Sequence, residues 1–314
     1  MNKRHLISLI VPFYNEGEGV GYFYEALTTI LNQISGLDFE VVCIDDGSHD
    51  DTLKKLISVT EKDPRFHIIE LSRNFGKEAA LTAGFDLATG DAVIPIDADL
   101  QDPPELIPQM IKEWFNGAEV VLARRIDRSS DSFLKRKTAE IFYRFHNRLS
   151  FIKIPENVGD FRLMDRIAVD ALKQLPEQHR FMKGLFAWVG FKTITIDYVR
   201  NPRVAGATKF SGLKLWNFAL EGITSFSALP LKLWSYIGCL GAMATFIYAI
   251  FVISRTLYYG IDIPGYASLL VAVLFFGSLQ LISVGVLGEY IGRIYMETKN
   301  RPLYLIRKRH GENK

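Results

Sequence analysis

The sequence predicts an α/β fold with a mostly parallel sheet, followed by a C-terminal part that lies in or on a membrane. Before residue 200, short and almost continuously apolar segments alternate with helix-like segments. Each apolar segment ends in polar or glycine-rich residues, and after about residue 230 the composition changes to long uncharged runs. Alternating strands and helices are typical of parallel sheets, because parallel neighbours need a crossover connection that is usually a helix.

Five segments have the β-branched, apolar composition of strands that are buried on both faces. In chain order they are LISLIVPFY, FEVVCIDDG, FHIIELS, AVIPIDADL and EVVLARR. Helix-like segments lie between them at roughly 18–35, 51–63, 77–89 and 104–116. Asp102 and Pro103 form a suitable start for the last of these helices. In such a sheet, ligands bind at the carboxyl ends of the strands, where the polar residues occur.

Two uncharged runs predict a pair of C-terminal transmembrane helices. Residues 233–254 and 263–288 carry no charged side chain, and each run is long enough as a helix to cross a hydrocarbon layer of about 30 Å. Basic residues precede the first run at Lys232 and follow the second from Arg293 onward. This bias predicts that both termini and the N-terminal part are cytoplasmic. The alternative is a pair of buried core helices.

Two further segments are predicted to be amphipathic helices at the membrane interface. Residues 133–151 place aromatic and aliphatic side chains close to one helical face, with basic side chains elsewhere. Residues 212–232 are apolar and aromatic, and they lead directly into the first uncharged run. For the first segment, an ordinary amphipathic core helix is an equally good interpretation.

The bulk composition narrows the function only slightly. The 314 residues include 37 basic and 35 acidic ones, so the net charge of +2 gives no argument for nucleic acid as a partner. The two cysteines, Cys43 and Cys239, are too few and too isolated for a disulfide framework or a zinc site.

The strongest chemical signal is a group of carboxylates at the end of the fourth predicted strand. Asp97 and Asp99 can reach a single point there, where unpaired carboxylates would repel each other. A hard divalent cation, Mg²⁺ or Mn²⁺, removes this repulsion and can bind substrate phosphates through its remaining positions. Gln101 offers a further amide oxygen, and Asp45 and Asp46 lie at the end of the second strand.

Five ordered motifs give the chain a resemblance to the family 2 nucleotide-sugar glycosyltransferases. They are VPFYNE (11–16), DDGSHDDT (45–52), RNFGKEAALTAG (73–84), IDADLQDPPE (96–105) and NVGDFRLMDR (157–166). The resemblance covers essentially the whole chain and is strongest to the polyprenyl-phosphate glycosyltransferases, in particular the bactoprenol (undecaprenyl-phosphate) glucosyltransferases of O-antigen modification. It implies a GT-A-type, Rossmann-like catalytic domain and an inverting transfer of a sugar from a nucleotide to a lipid phosphate.

The resemblance also implies roles for individual residues. Catalytic roles fall to Asp160, Arg162 and Asp99, with Asp160 near the acceptor as either a base or an orienting group. The metal-ligand motif is matched by Asp97, Asp99 and Gln101. The nucleotide sugar is expected to contact Pro12, Tyr14, Asn15, Glu16, Asp45, Asp46, Gly76, Lys77, Asp97, Ala98 and Arg124. Weaker candidates for binding the acceptor phosphate are Lys135, Arg136, Lys137, Lys209 and Lys214.

The implied function is transfer of glucose from UDP-glucose to undecaprenyl phosphate at the cytoplasmic face of a bacterial inner membrane, for O-antigen or cell-envelope glycan modification. Galactose, N-acetylglucosamine or an aminoarabinose derivative stay open as the sugar, and guanosine stays open as the nucleoside. The resemblance further implies a homo-oligomer, a tetramer. Two other functions stay open: a polysaccharide synthase, and a non-catalytic membrane scaffold or lipid-translocating subunit.

The predicted organisation has four parts. They are a cytoplasmic catalytic domain over 1–210, an interfacial helix over 211–232, a two-helix transmembrane hairpin over 233–290, and a cytoplasmic basic tail over 291–314.

Overall fold

The protein is described by a computed structural model that covers residues 4–126, 155, 157–178, 180–199, 229–259 and 265–311. The predicted interfacial segment 133–151 and most of segment 212–232 lie outside these ranges. Both segments therefore stay predictions.

The described residues form an eight-stranded mixed sheet. Its strands are β1 (Leu6–Phe13), β2 (Asp38–Asp45), β3 (Phe66–Leu71), β4 (Ala92–Pro95), β5 (Val120–Arg125), β6 (Val158–Asp165), β7 (Thr193–Tyr198) and β8 (Ile306–His310). Their order across the sheet is β7-β5-β6-β4-β1-β2-β3-β8. Strands β4, β1, β2 and β3 are parallel neighbours, as are β5 and β7, whereas β6 and β8 run antiparallel to theirs. The predicted α/β fold with a parallel centre is confirmed.

Helices follow most of the strands, and all of those described except the last two pack on the faces of the sheet. They are α1 (Val20–Gln33), α2 (Thr52–Thr60), α3 (Lys77–Leu87), α4 (Ile107–Phe115), α5 (Arg166–Lys173), α6 (Met182–Trp188), α7 (Leu229–Tyr259) and α8 (Tyr266–Thr298). The helix predicted at 104–116 begins as a 3-10 turn, Pro104–Leu106, and continues as α4. Proline suits this start because the first amides of a helix have no intrahelical partner.

The core lies on both faces of the sheet, because alternate side chains of a strand point to opposite faces. On one face, Phe13 of β1 and Phe23 of α1 meet edge to face with ring centroids 5.6 Å apart. On the other face, Ile10 of β1 packs with buried residues of α3. A side chain at Gly84 of α3 would collide with Ile10, so this glycine allows close packing of helix on sheet. The packing places Lys77, the first residue of α3, at the carboxyl edge of the central strands.

Two long helices, α7 and α8, cover most of the two runs that the sequence predicts to cross a membrane. By length and composition, one helical segment among the described residues, Phe275–Thr298, is suited to span a membrane. Large apolar side chains of both helices are exposed, for example Phe246 and Leu281. The prediction of two transmembrane helices is not confirmed by this finding and stays a prediction.

Strand β8 was not expected from the sequence. It lies within the predicted basic tail, yet it pairs antiparallel with β3 and forms one edge of the sheet. Arg307 and His310 lie 3.3 and 3.4 Å from the carboxylate of Glu70 on β3. The tail therefore includes a strand of the catalytic sheet, and the sheet is not complete within residues 1–210.

Candidate active site

The predicted site residues converge at one edge of the sheet. Asp45 is the last residue of β2, and Asp97 follows the end of β4 by two positions. Strand β6 runs antiparallel to β4, so its first residues, including Asp160, lie at the same edge. This topology explains how a motif some sixty residues after Asp97 in the chain comes to lie beside it.

Lys77 connects the two acidic motifs. Its Nζ lies 2.7 Å from Asp97 Oδ1 and 2.7 Å from Asp160 Oδ2. The Lys77 side chain is 43% exposed and that of Asp160 is 15% exposed, so the ammonium group lies at the mouth of the site. One cation thereby neutralises a carboxylate of the predicted metal motif and the carboxylate predicted to face the acceptor.

The charges around Lys77 shift the pKa of each neighbour. The surrounding protein would by itself lower the pKa of Lys77, but Asp160 and Asp97 together raise it well above the usual value. Burial would raise the pKa of Asp160, but Lys77 and then Lys183 hold it well below its usual range. Burial and the charge of Asp160 raise the pKa of Glu78 to about 8. At neutral pH the site therefore contains an ionised Asp160, a charged Lys77 and a largely protonated Glu78.

Asp45 and Asp46 have different roles, although they are adjacent in one motif. Asp46 accepts hydrogen bonds from the backbone amides of Phe75 (2.7 Å) and Gly76 (2.9 Å) and from Asn74 Nδ2 (2.9 Å). It thereby holds the loop that leads into α3. Asp45 is 1% exposed, and among the described residues its Oδ1 has no hydrogen-bond partner. A buried acceptor without a partner is costly, which makes this oxygen the better candidate for a nucleoside N–H.

Gly76 ends this loop with φ +99°, a conformation that favours glycine. It directs the chain into α3 and so places Lys77 over Asp97. Asp46 therefore holds the loop that brings the cation Lys77 to the site. That Gly76 and Lys77 contact the nucleotide stays a prediction.

Pro12 lies near the end of β1, and Tyr14, Asn15 and Glu16 lie in the loop that follows; all four are half-buried. Asn15 has φ +51°, its amide donates to Ser48 Oγ (3.0 Å), and its Oδ1 accepts from the amide of His49 (2.8 Å). The Glu16 amide donates to Thr52 Oγ1 (3.0 Å). This loop is therefore tied to the loop after β2, and the two together border the site beside Asp45.

The metal motif follows β4 as an irregular turn. Asp99 Oδ1 accepts a hydrogen bond from the amide of Gln101 (3.1 Å), and Leu100 between them has φ +55°. Ala98 is buried, and Asp102 accepts a hydrogen bond from the hydroxyl of Tyr198 (2.6 Å). The hydrogen bonds of Asp99 and Asp102 hold this turn in place.

Asp97 and Asp99 fit a hard divalent cation that keeps waters and binds substrate phosphates, since such an ion needs only one or two protein carboxylates. Among the described residues, no group of three or more His, Cys, Asp or Glu side chains could hold a metal by itself. The Lys77 ammonium group beside Asp97 indicates that this carboxylate is arranged to face a positive charge.

The two arginines with predicted roles lie in different environments. Arg162 is buried, its Nη2 donates to the carbonyl of Gly159 (2.7 Å), and its guanidinium group lies 3.9 Å from the ring centre of Phe186. Burial lowers its pKa to about 10. Arg124 is exposed and forms two hydrogen bonds, of 2.6 and 2.9 Å, to Asp197. Arg162 therefore lies beside Asp160, whereas Arg124 is paired with Asp197, and the predicted roles of both arginines stay predictions.

Three charged or aromatic residues near the site were missed by sequence reasoning: Glu78, Lys183 and Phe186. Glu78 accepts a hydrogen bond from the amide of Met182 (3.2 Å) and so joins α3 to α6. The segment FMKGLFAWVG contains the other two, but only its packing against β6 reveals their position.

The remaining acceptor candidates, Lys135, Arg136, Lys137, Lys209 and Lys214, lie outside the described residues.

Comparison with known proteins assigns the chain to a family. The sequence profile described as "Glycosyl transferase family 2" matches residues 8–173, which include the five ordered motifs. The chain belongs to glycosyl transferase family 2. The resemblance inferred from the motifs is thereby confirmed, and the protein is a glycosyltransferase.

Relatives of this glycosyltransferase extend over nearly its whole length. The SfII prophage-derived bactoprenol glucosyl transferase of Shigella flexneri is 54% identical, covering 98% of this chain and 99% of that protein. An uncharacterized glycosyltransferase of Synechocystis is 52% identical, covering 96% and 94%. Among solved structures, the mannosyltransferase PcManGT from Pyrobaculum calidifontis in complex with GDP-Man and Mn²⁺ is 18% identical, with a TM-score of 0.47, covering 96% and 86%. This last likeness is distant, and the family assignment rests on the sequence matches.

Proposed function

We propose that this glycosyltransferase transfers glucose from UDP-glucose, with inversion, to undecaprenyl phosphate. The observation that carries the proposal is that one cation, Lys77, contacts both the metal motif at Asp97 and the acceptor-side carboxylate at Asp160. Lys77 thereby joins two parts of one site. The donor half contains the residues proposed to bind the nucleotide sugar, and the acceptor half contains the residues around Asp160. The substrate class is supported by relatives of more than 50% identity that are named bactoprenol glucosyl transferases.

The donor half would bind the nucleotide through groups whose positions are already fixed. Asp45 Oδ1 would accept a hydrogen bond from the nucleoside, and the loop held by Asp46 would border the diphosphate. Asp97 and Asp99 would hold Mg²⁺ or Mn²⁺, which supplies positive charge to the departing nucleoside diphosphate. Gln101 would support Asp99 through its backbone amide, which already donates to that carboxylate.

The acceptor half would orient a phosphate rather than deprotonate a hydroxyl. A phosphomonoester has a second pKa of about 6, so the lipid phosphate is already an anionic nucleophile at neutral pH. One of its oxygens would attack the anomeric carbon from the face opposite the diphosphate. The new bond would form as the bond from that carbon to the diphosphate oxygen breaks, which inverts the configuration. Asp160, held ionised by Lys77, would position this encounter and needs no strong basicity.

The acceptor would also determine the location of the enzyme. Undecaprenyl phosphate cannot leave the bilayer, so the site must be held at the headgroup plane. The exposed apolar surfaces of α7 and α8 would anchor the catalytic domain in a bacterial inner membrane, with both termini cytoplasmic and two spans. We extend the proposal to a homo-oligomer, with a tetramer as the first state to test.

A donor and acceptor screen on the full-length protein in nanodiscs tests the proposal. The donors are radiolabelled UDP-glucose, UDP-galactose, UDP-N-acetylglucosamine and GDP-mannose, each with Mg²⁺ or Mn²⁺ and with or without undecaprenyl phosphate. The expected result is labelled glucose in the organic phase only when undecaprenyl phosphate is present. Label in a water-soluble polymer would instead indicate a polysaccharide synthase. No cleavage of any donor would favour a scaffold and overturn the proposal.

A further inference from the structure

A cavity of about 210 Å³ lies between α6 and the sheet, beside the acceptor half of the site. Its walls are largely apolar and include Leu122 of β5, Val158 of β6 and Phe186 of α6. Two cationic side chains, Arg162 and Lys183, also line it. Among the described residues that line the cavity there is no carboxylate.

The two cations link this cavity to the reaction site. Arg162 lies two residues after Asp160 on the same face of β6, and its guanidinium group is held against the ring of Phe186. Lys183 is close enough to Asp160 and Glu78 for its charge to act on both carboxyl groups. A phosphate at this end of the cavity would therefore face Asp160, and through Lys77 the metal motif.

We infer that this cavity binds the phosphate-bearing end of a prenyl phosphate, with the phosphate at Lys183 and Arg162 and the first isoprene units against Phe186 and Leu122. The inference deepens the proposed function and rests on it for the identity of the acceptor. It assigns the acceptor's head to Arg162, which already has a predicted role, and to Lys183, which sequence reasoning left unassigned, instead of to the basic residues of the predicted interfacial segments.

The combination of walls and charges decides which ligand fits. A sugar would need many directional polar partners, which this lining does not offer. A free inorganic anion would use the two cations but would gain nothing from the apolar walls. An apolar cavity of about 150 Å³ is large enough to hold a benzene ring, so this one can take the first units of a prenyl chain. A ligand with an anionic head and an apolar, unsaturated tail would place its charge at the two cations and its tail against the apolar walls.

Binding of a short soluble acceptor tests the inference directly. Geranyl phosphate is the probe, and geraniol and inorganic phosphate are the two partial ligands, each measured by calorimetry on the full-length protein in nanodiscs. Lys183→Gln removes one cation, and Ala187→Phe, one turn further along α6, fills part of the cavity. Lys112→Gln on α4 is the matched control, because Lys112 is exposed and lies on the other face of the sheet.

The inference expects geranyl phosphate to bind the wild type and the Lys112 control equally, and more tightly than either partial ligand. Lys183→Gln should weaken binding at least about tenfold, as expected for loss of a charge-assisted contact. Ala187→Phe should weaken geranyl phosphate without weakening inorganic phosphate. UDP binding and thermal unfolding of each variant report on whether it is folded. If both variants fold and bind geranyl phosphate like the wild type, the inference is wrong.

The same preparation separates this inference from the proposed function. Failure of the wild type to glycosylate undecaprenyl phosphate would overturn the proposed function. The binding data would still decide whether the cavity binds a prenyl phosphate. Loss of geranyl phosphate binding in both variants would support the cavity even then. Normal glycosylation of undecaprenyl phosphate by both variants would overturn the assignment of the cavity to the acceptor while leaving the proposed function intact.

Discussion

Lys77 and Asp160 form a close ion pair, with Nζ and Oδ2 2.7 Å apart, at the point where two sequence motifs meet. The same ammonium group lies 2.7 Å from Asp97. A cation shared in this way balances the charge of both carboxylates, and Lys77 would have to move when a metal ion and a diphosphate bind. Lys77 is therefore a positioning residue for both halves of the site.

Replacing Lys77 by Met should raise the pKa of Asp160, because burial then acts on that carboxyl group without its strongest counter-charge. The acidic limb of the pH–rate profile should move to higher pH, and sugar transfer at pH 7 should fall at least about tenfold. A pH–rate profile of kcat/KM checks this, with Lys77→Arg expected to restore the wild-type acidic limb. An unchanged limb in Lys77→Met would show that Lys77 does not control Asp160.

Asp99→Asn should reduce divalent-dependent transfer by at least about 100-fold, because one anionic ligand is lost from an ion that would stabilise the leaving group by several kcal/mol. Asparagine keeps the acceptor oxygen that binds the Gln101 amide, so the turn should be preserved. Steady-state rates across a Mn²⁺ and a Mg²⁺ titration measure the effect. Asp170→Asn on α5 is the control, since it also removes one carboxylate but at an exposed position on another helix. Full activity of the wild type in excess chelator would exclude the metal role.

Asp45→Asn and Asp46→Asn should have opposite signatures, although the two residues are adjacent. Asp45→Asn should weaken UDP binding about tenfold or more and leave the melting temperature nearly unchanged. Asparagine can keep the hydrogen bond that Asp45 Oδ2 accepts from the Ser48 amide (3.2 Å), and Oδ1 has no partner among the described residues to lose. Asp46→Asn should lower the melting temperature, because its carboxylate accepts three hydrogen bonds from the loop before α3. Calorimetry with UDP and thermal unfolding on both variants decide between the roles. Equal effects on both readouts would mean that the two carboxylates act as one unit.

The parallel centre of the fold could be predicted because β1 to β4 are continuous apolar runs separated by helix-like segments. Strand β6 was not predicted, because VGDFRLMD lacks the continuous apolar run of β1 to β4 and contains the charged residues Asp160 and Arg162, which the fold largely buries. Strand β8 is harder still. IRKRH has one apolar residue followed by four basic or titratable ones, which is the composition of a solvated tail and equally of a charged edge strand.

The candidate site, like the sheet, could be predicted only in part. Asp97, Asp99 and Asp160 could be identified from motifs, and the structure brings them to one edge. The division of work between Asp45 and Asp46 depends on which carboxylate reaches the amides of Phe75 and Gly76, which no spacing reveals. The position of Lys183 depends on how α6 packs on β6, a contact between distant parts of the chain.

Glu78→Gln should change how stability depends on pH. The folded state holds a proton on Glu78 up to about pH 8, whereas an unfolded chain releases it near its usual pKa of 4.5. Between these values the folded state binds more protons, so wild-type stability should fall as pH rises from about 4.5 to about 8. Glutamine cannot titrate, so the melting temperature of the variant should gain on that of the wild type across this range. Thermal unfolding at half-unit pH steps, with exposed Glu61→Gln as control, measures it. A constant difference from pH 5 to 8 would contradict the raised pKa.

Removing residues 304–314 should destabilise the catalytic domain, although these residues follow the long helices in the chain. The truncation removes β8, the hydrogen bond from the Ser72 amide to the Leu305 carbonyl (2.8 Å), and the contact of the Tyr304 hydroxyl with Asp86 (2.9 Å). Several ladder hydrogen bonds at about 1 kcal/mol each suggest a loss of about 2 kcal/mol or more. The freed edge of β3 would also be open to pairing with another chain.

A matched variant separates the strand from its charges. Arg307→Ala removes one ion pair to Glu70 but keeps the backbone ladder, and its side chain is 71% exposed, so it should cost less than about 1 kcal/mol. Thermal unfolding and size-exclusion chromatography of the truncated protein, Arg307→Ala and the wild type make the comparison. The truncated protein should melt lowest and aggregate first, and a shorter chain ending near residue 210 should share its defect because it also lacks β8. If the truncated protein matches the wild type in both measurements, β8 contributes little and residues 1–210 contain all that the sheet needs.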